Sequence, residues 1–401
     1  MNETPSSLRV AIFGESYLPY LSGVTISTES LARGLTQAGE EVLLVVPRPA
    51  DEPAASDVGS FAWLPSVQAP PPAPAGYRVP LPVPSTALRK VRTFAPDVIH
   101  AQSPFVSGLM ARRLSRALGV PLVFTHHTRF GDYRHYLGPL ANTGAALMSA
   151  YLSRFWLGCA AVIAPGSELA AEIAAAVATH RRRPIVRAIP TGLDLEWIAA
   201  IPQGHPRREA GWTPGVDFVV ASLGRLAREK SVDILLDAFR QAAIERPELR
   251  FLLIGGGPME ELARDQGQHG DLGGRLFVAG RRSRAEGLGL LKACEIFAFA
   301  SRTETQGLVL AEALAAGVPV VSLAGPGVAD SVRDGTDGVI VPREPESMAA
   351  ARLGGAIAAL AADPDRRRQM AHAARDGAKR FALERRIGEV VDLYREAIAL
   401  G

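Results

Sequence analysis

Length and composition place the chain among globular proteins with more than one domain. Its 401 residues exceed what one ordinary hydrophobic core supports. A hydrophobic content of 47% with 21% charged residues excludes a disordered or fibrous protein. The net charge of +3 gives no reason to expect a nucleic-acid partner.

The cysteines and the N-terminal residues predict a cytoplasmic protein. Cys159 and Cys294 lie far apart and have no CxxC or histidine partner spacing, which argues against a disulfide framework and against zinc. The start, MNETPSSLRVAIFG, has no basic region that leads into an apolar one, so we expect no secretory signal.

The first half alternates short apolar runs with helical patterns. The strands are predicted in RVAIFGES, EEVLLVVP, PDVIHAQ, PLVFTHH, AAVIAPG and IVRAIPTGLDL. Helices are predicted in TISTESLARGLTQ, in PFVSGLMARRLSRALG and from about 139 to 157. Residues 47–86 are rich in Pro and Ala and are predicted to form an irregular surface excursion. The pattern predicts a doubly wound domain over residues 1–195.

The second half repeats this alternation and predicts a second domain over residues 196–380. Its strands are predicted in DFVVASLGRL, LRFLLIGGGP, LFVAGRR, EIFAFAS and PVVSLAG. A last helix within residues 381–401 is expected to pack across the domain junction. The predicted fold is α/β: two Rossmann-like domains that face each other across a cleft, with ligands at the carboxyl ends of the strands.

Two glutamates, Glu304 and Glu312, occur within the largely apolar run SRTETQGLVLAEALAAGVPVV. Glu304 follows a predicted strand, and Glu312 lies a turn or so inside the next helix. Gly307 permits close backbone approach, and the N–H groups of a helix's first turn can hold phosphate oxygens. The spacing therefore favours two carboxylates that serve one elongated ligand, although two solvated helix charges are the alternative.

A pair of cations follows another predicted strand end, in LGRLAREKS. Arg225 and Lys230 are placed to converge on a diphosphate, the arginine as a forked donor and the lysine as a point charge. A charged helix cap is the alternative. The nearby IGGGP lacks the spacing of a dinucleotide-binding loop and is more typical of a tight turn.

The first half offers a glycine and a group of histidines. Gly23 opens the first helix, where a backbone approach to phosphate is expected. In FTHHTRFGDYRHYLG, the residues His126, His127 and His135 match no zinc spacing and have no neighbouring Cys or Glu, so no metal is predicted. One of the adjacent pair is expected to face a sugar hydroxyl, with His127 preferred, while the other packs.

Taken together, these motifs resemble glycosyltransferase family 4, the group 1 retaining transferases with the GT-B fold. The resemblance covers nearly the whole chain, and ETQGLVLAEALAAGVPVV is its most specific part. The segments GRLAREK, IPTGLD and GVADSVRDGTDGVIV occur in the family's order. Gln102 in HAQSP departs from the second histidine of many relatives, which leaves the acceptor pocket less defined.

The resemblance implies a role for each matched residue. Glu304 would hold hydroxyls of the donor sugar, and Glu312 the ribose diol. Arg225 and Lys230 would neutralise the departing diphosphate in place of a metal, so no cofactor is expected. His127 would touch the donor sugar and assist at the transition state. Gly23 and the backbone after Glu304 would complete the donor site, through Gln306, Gly307, Leu308 and Val309.

The acceptor prediction depends on a narrower resemblance. HHTRFGDYRHYLG resembles a stretch of diacylglycerol glucosyltransferases, which implies acceptor contacts by Tyr133, His135 and Tyr136, with Tyr17 added from the first loop. The helix of residues 139–157 is apolar on one side and edged by arginines, so it could lie on an anionic membrane. An ordinary core-facing helix is the alternative.

The expected function is a metal-independent, retaining transfer of a hexose from UDP-glucose or a similar nucleotide sugar to a membrane lipid such as diacylglycerol. The alternatives are GDP-mannose as donor, a soluble or polyisoprenoid-linked acceptor, and a GT-B epimerase or hydrolase. A lipid acceptor would bring the protein to the inner face of the cell membrane. DLE from Asp194 and DPD from Asp363 imitate a metal-binding DxD, but neither is expected to need Mg²⁺.

Overall fold

The computed structural model divides the chain into two compact units. It describes residues 7–20, 22–49, 58–70, 76–129, 141–213, 215 and 217–400. The first unit comprises Met1–Gly192 with Leu383–Gly401, and the second comprises Leu193–Ala382. The predicted junctions at 195/196 and 380/381 lie within three residues of these divisions.

The first unit is built on a parallel sheet. Its strands are β1 (Arg9–Phe13), β2 (Glu41–Pro47), β3 (Ser60–Leu64), β6 (Val98–Ala101), β7 (Leu122–Thr125), β8 (Ala161–Ala164) and β9 (Ile185–Ala188). A small antiparallel pair stands apart, β4 (Ser66–Gln68) with β5 (Arg78–Pro80). The helices are α1 (Gly23–Gln37), α2 (Thr86–Phe94), α3 (Val106–Leu118), α4 (Ala141–Trp156) and α5 (Ser167–Val177). The sheet order is β3-β2-β1-β6-β7-β8-β9.

The second unit is built on a six-stranded parallel sheet. Its strands are β10 (Phe218–Leu223), β11 (Leu249–Ile254), β12 (Leu276–Gly280), β13 (Ile296–Phe299), β14 (Val320–Leu323) and β15 (Gly338–Val341), in the order β12-β11-β10-β13-β14-β15. Its first helices are α6 (Leu195–Ala200), α7 (Pro206–Ala210), α8 (Val232–Glu245), α9 (Glu260–Gln268) and α10 (Arg284–Lys292). They are followed by α11 (Leu308–Ala315), α12 (Val328–Ser331), α13 (Ala349–Ala362) and α14 (Pro364–Ala378).

Both sheets are buried on both faces, which explains the continuous apolar runs of their strands. Along β1, Ala11 and Phe13 enter one hydrophobic cluster, while Val10 and Ile12 enter the cluster on the opposite face. In β10, Val220 lies in one cluster and Val219 in the other. Successive strand residues point to opposite faces, so a strand covered by helices on both sides has no polar face.

The last helix, α15 (Leu383–Ala399), returns to the first unit. Its Tyr394 is fully buried, and the hydroxyl lies 2.6 Å from Nδ1 of His100 on β6. The other ring nitrogen of His100 lies 2.7 Å from Oγ1 of Thr125. Burial lowers the pKa of His100 to about 3, so the ring is neutral in the folded protein. The predicted packing of this helix across the domain junction stays a prediction.

The prediction that residues 47–86 are irregular was wrong for three segments, since β3, β4 and β5 lie within them. Residues Ser60–Leu64 form β3, which pairs in parallel with β2 at the edge of the sheet. Ala62 and Leu64 are buried in this strand, and the ring of Phe61 stacks on that of Trp63. The Pro- and Ala-rich composition around β3 gives no sign of this five-residue strand. Its stability comes from pairing with β2 rather than from its own composition.

The Tyr394→Phe variant tests the buried hydrogen bond between α15 and β6. Removal of the hydroxyl leaves Nδ1 of His100 without its partner in a site closed to water. We expect the free energy of unfolding to fall by about 1 to 3 kcal/mol in urea denaturation. The control Tyr20→Phe, at a partly exposed tyrosine, should change it by less than about 0.5 kcal/mol. Equal effects would contradict this role.

Candidate active site

The strand order of the second sheet reverses between β10 and β13, and the loops after these two strands carry charged groups. Such a reversal is where open α/β sheets bind ligands. The Nζ atom of Lys230, after β10, lies 2.5 Å from Oε1 of Glu304, after β13. The backbone N–H of Arg302 donates to the carbonyl oxygen of Glu229 at 3.2 Å. The two loops are therefore fastened together.

Arg225 lies on the same edge of the sheet and stays accessible. Its side chain is 53% exposed, and Nη1 lies 3.7 Å from Oε1 of the buried Glu229. The residues Arg228–Lys230 form a single 3-10 turn, and Ser231 adopts a left-handed conformation before α8 begins. Lys230 thus lies in a short turn between β10 and α8, and Arg225 lies in the loop just before that turn.

Gly307 begins the helix that follows the Glu304 loop. Its φ of 69° lies in the left-handed region, which glycine adopts at little cost. The carbonyl oxygen of the buried Gln306 accepts a hydrogen bond from Oγ of Ser331 at 2.7 Å. The first turn of α11 therefore starts from a fixed point, with Leu308 and Val309 as its first residues.

Glu312 lies inside α11 and is paired with an arginine that the sequence analysis did not single out. Nε of Arg284 donates to Oε1 of Glu312 at 2.7 Å, and the carboxylate side chain is only 8% exposed. The guanidinium of Arg284 stacks over the ring of Trp197 at 5.0 Å. No sequence signal links these residues, because Arg284 and Glu312 stand 28 positions apart.

The glycines of IGGGP have a packing function. A Cβ on Gly255 would lie 1.9 Å from the carbonyl oxygen of Gly224, and one on Gly257 would lie 2.4 Å from that of Leu226. Their φ values of 142° and 158° also disfavour side chains. The run lets the loops after β10 and β11 touch.

In the first unit, His127 is held by the residue that departs from the family pattern. Its Nε2 lies 2.7 Å from Oε1 of Gln102, which is buried after β6. His126 packs instead in the core, where Trp156 donates to its Nδ1 at 3.3 Å. Burial lowers the pKa of His126 to about 4 and that of His127 to about 3, with His126 adding to the second shift. Both rings are therefore neutral at physiological pH.

Gly23 and a glutamate mark the loop after β1. Gly23 is the exposed first residue of α1, and a Cβ there would meet nothing within 4 Å. Ser22 and Thr25 form a capping box at this helix start. Glu15, which the sequence analysis left out, is buried and accepts hydrogen bonds from the backbone N–H and the hydroxyl of Ser107 in the first turn of α3.

Of the predicted acceptor residues, only Tyr17 lies in the described part of the chain. Its ring is buried and packs edge-on against Phe61 at 5.8 Å, and burial raises the pKa of its hydroxyl. The structure thus gives Tyr17 a packing function, and its acceptor role stays a prediction. Tyr133, His135 and Tyr136 lie outside the described residues.

The two DxD-like sequences serve as helix caps. Oδ1 of Asp194 accepts from the N–H of Trp197 at the start of α6, at 2.8 Å. Oδ1 of Asp363 accepts from the N–H of Arg366 at the start of α14, at 2.9 Å. Among the described residues, no group of three or more His, Cys, Asp or Glu side chains is arranged to hold a metal ion.

Several large apolar side chains of α4 face the core, whereas Leu147 is exposed. Leu152, Phe155 and Trp156 are buried, and Met148 and Tyr151 pack against the same cluster. For these residues the core-facing alternative is the correct one, since a buried side chain cannot lie on a membrane. Within the described ranges, no helix is long and apolar enough to cross a bilayer.

Comparison with known proteins identifies the family. The model described as "Glycosyltransferase Family 4" matches residues 21–197, and "Glycosyl transferases group 1" matches residues 208–377. The D-inositol 3-phosphate glycosyltransferase 1 of Catenulispora acidiphila is 31% identical, over 76% of this chain and 73% of that protein. The chain belongs to glycosyltransferase family 4, as its motifs predicted, and is a glycosyltransferase.

Other relatives differ in the substrates that their names state. The alpha-monoglucosyldiacylglycerol synthase of Acholeplasma laidlawii is 28% identical, over 84% of this chain and 86% of that protein. A GDP-mannose-dependent alpha-mannosyltransferase of Corynebacterium glutamicum is 27% identical, over 98% and 90%. The structure of Anabaena Alr3699/HepE in complex with UDP and glucose superposes with a TM-score of 0.71 at 19% identity, covering 96% of this chain and 98% of that chain. The predicted GT-B fold is thereby confirmed.

The Arg284→Met variant tests the ion pair around Glu312. This variant leaves the almost completely buried carboxylate of Glu312 without its charged partner. We therefore expect the free energy of unfolding to fall by about 3 kcal/mol. The double variant Arg284→Met with Glu312→Gln should recover most of this loss, because no unpaired charge remains. The control Arg368→Met, at an exposed ion pair, should cost less than about 0.5 kcal/mol. A double variant no more stable than Arg284→Met would refute the pairing.

Proposed function

We propose that the protein is a metal-independent, retaining glycosyltransferase that moves a hexose from UDP-glucose, or a close analogue, to a membrane lipid such as diacylglycerol. The observation that carries the proposal is the pairing of Lys230 with Glu304 at the strand-order reversal of the second sheet. This places a cation and a carboxylate on adjacent loops, which suits a ligand with both a diphosphate and sugar hydroxyls.

The charges of this edge support a diphosphate without a metal. Arg225 offers a forked, accessible guanidinium, and Lys230 offers a compact ammonium. An ammonium has three N–H donors, so Glu304 and a phosphate oxygen can share Lys230. The first turn of α11 adds N–H groups and the positive end of a helix dipole. As the diphosphate departs, these groups stabilise the charge that develops on it.

We assign the sugar and the ribose to different carboxylates. Glu304, on the loop, would accept hydrogen bonds from donor-sugar hydroxyls. Glu312, already oriented by Arg284, would accept from the ribose diol. His127, neutral and held by Gln102, would act on the donor sugar as a hydrogen-bonding group rather than as a cation. A front-face reaction, in which the leaving oxygen helps take the acceptor proton, needs no enzymic nucleophile.

The lipid acceptor is supported by the relatives named for diacylglycerol products. Such an acceptor would bring the protein to the inner face of the cell membrane as a peripheral protein. A second candidate keeps the chemistry but takes GDP-mannose, which the mannosyltransferase relative supports. A soluble inositol phosphate acceptor is supported in the same way by the D-inositol 3-phosphate relative.

Substitution of the two glutamates should separate chemistry from binding. We expect Glu304→Gln to lower kcat by about 100-fold or more while the Kd for the nucleotide changes little. Glu312→Gln should instead raise that Kd by about tenfold, because a charge-assisted hydrogen bond is lost. The control Glu196→Gln, on the exposed side of α6, should leave both unchanged. Steady-state kinetics measures kcat, and calorimetry measures the Kd for the nucleotide. Wild-type activity in the Glu304→Gln variant would contradict the assignment.

Removal of metal ions tests the role given to Arg225 and Lys230. If these cations replace a metal, EDTA should leave the transfer rate unchanged and added Mn²⁺ should not raise it. Loss of activity in EDTA, with recovery on Mn²⁺, would show that the diphosphate is neutralised by an ion instead.

A further inference from the structure

Helices α3 and α4 share an exposed surface that the proposed chemistry does not use. We call it the α3–α4 face, and it consists of Phe105, Leu109, Arg113, Arg116, Leu147 and Arg154. The α3 members recur at intervals of three and four residues, so they form one stripe along the helix. The ring of Phe105 stacks on that of Tyr151 from α4 at 6.4 Å, which joins the two helices.

Large apolar side chains make up the centre of this face. Phe105 is 36% exposed, Leu109 41% and Leu147 68%. The hydroxyl of Tyr151 donates to the carbonyl oxygen of Pro104 at 2.5 Å, and Phe155 anchors α4 in the core below. The helices that carry the exposed residues are therefore held in place. The exposed side chains themselves do not contribute to the packing of the core.

The charge of this face has one sign. Helices α3 and α4 together carry four arginines and no acidic residue, and three of these arginines, Arg113, Arg116 and Arg154, belong to this face. Within the described ranges, no carboxylate forms an ion pair with Arg113, Arg116 or Arg154. The remaining arginine, Arg112, lies over the ring of Phe155 at 5.5 Å.

We propose that the α3–α4 face docks the protein on an anionic lipid bilayer. Exposed apolar side chains with arginines beside them suit the boundary between lipid headgroups and acyl chains. The positive charge of these arginines complements an anionic surface. Leu147 and Arg154 of α4 belong to this face, whereas Leu152, Phe155 and Trp156 of the same helix are buried in the core. The biological purpose of this docking rests on the proposed lipid acceptor. Its physical basis, the exposed apolar and basic side chains, does not depend on that proposal.

Sedimentation with vesicles tests the docking directly. Without donor or acceptor, the wild-type protein should bind vesicles of phosphatidylglycerol with phosphatidylcholine and not vesicles of phosphatidylcholine alone. Leu109→Asp with Leu147→Asp should lower the partition coefficient by about tenfold or more. Arg113→Gln with Arg116→Gln should lower it by about 25-fold, at about fivefold per arginine, and added salt should weaken wild-type binding.

Matched controls make the result specific to this face. Ile244→Asp replaces a 76% exposed residue on α8, and Arg366→Gln with Arg368→Gln removes two exposed charges from α14. These variants should bind as wild type does, and all variants should keep the wild-type melting temperature. The docking is refuted if wild type stays unbound, if the controls lose as much affinity, or if the face instead mediates a dimer in light scattering.

A transfer assay in detergent separates this inference from the proposed function. Transfer to a lipid acceptor in detergent, without vesicle binding, overturns the docking and leaves the proposed function intact. Vesicle binding without transfer to any lipid overturns the lipid acceptor and leaves the docking intact.

Discussion

One constraint of parallel sheets organises this protein: at a single point in each sheet the strand order reverses, and the neighbouring loops leave in opposite directions. In the second unit the reversal lies between β10 and β13, where Lys230 meets Glu304. In the first unit it lies between β1 and β6, whose loops carry Glu15 and Gln102. The groups that can recognise a ligand are brought together by topology, although they are distant in sequence.

Rigid pairing keeps these groups in place. The Glu304 loop is fastened through Arg302 and Lys230, and α11 starts from the buried Gln306. Arg284 holds the carboxylate of Glu312 while stacking on Trp197. In the proposed reaction, such groups would need little reorganisation when charge develops on a departing diphosphate, and this is the principal advantage of a preorganised site.

Local patterns predicted most of the fold, and they singled out Lys230 and Glu304, which the structure pairs. Strands buried on both faces give uninterrupted apolar runs, and the turn at Gly307 follows from a strand, a glycine and a helix in succession. The strand β3 was missed because its pairing with β2 outweighs its local composition. Partners such as Arg284 for Glu312, Gln102 for His127 and Tyr394 for His100 were missed because long-range contacts leave no periodic signal in one sequence. The spacing of Glu304 and Glu312 indicated a shared ligand, but only the structure distinguishes a loop carboxylate paired with lysine from a buried one paired with arginine.

The central claim is that the Lys230 and Glu304 loops hold a nucleotide sugar for transfer to a lipid. The most direct measurement is mass spectrometry of the products after the protein is incubated with a lipid extract and each of several nucleotide sugars. We predict a hexose added to a diacylglycerol-type lipid with UDP-glucose or a close analogue, and loss of this product in Glu304→Gln. Free hexose without any glycosylated product, or an undiminished product in Glu304→Gln, would contradict the account.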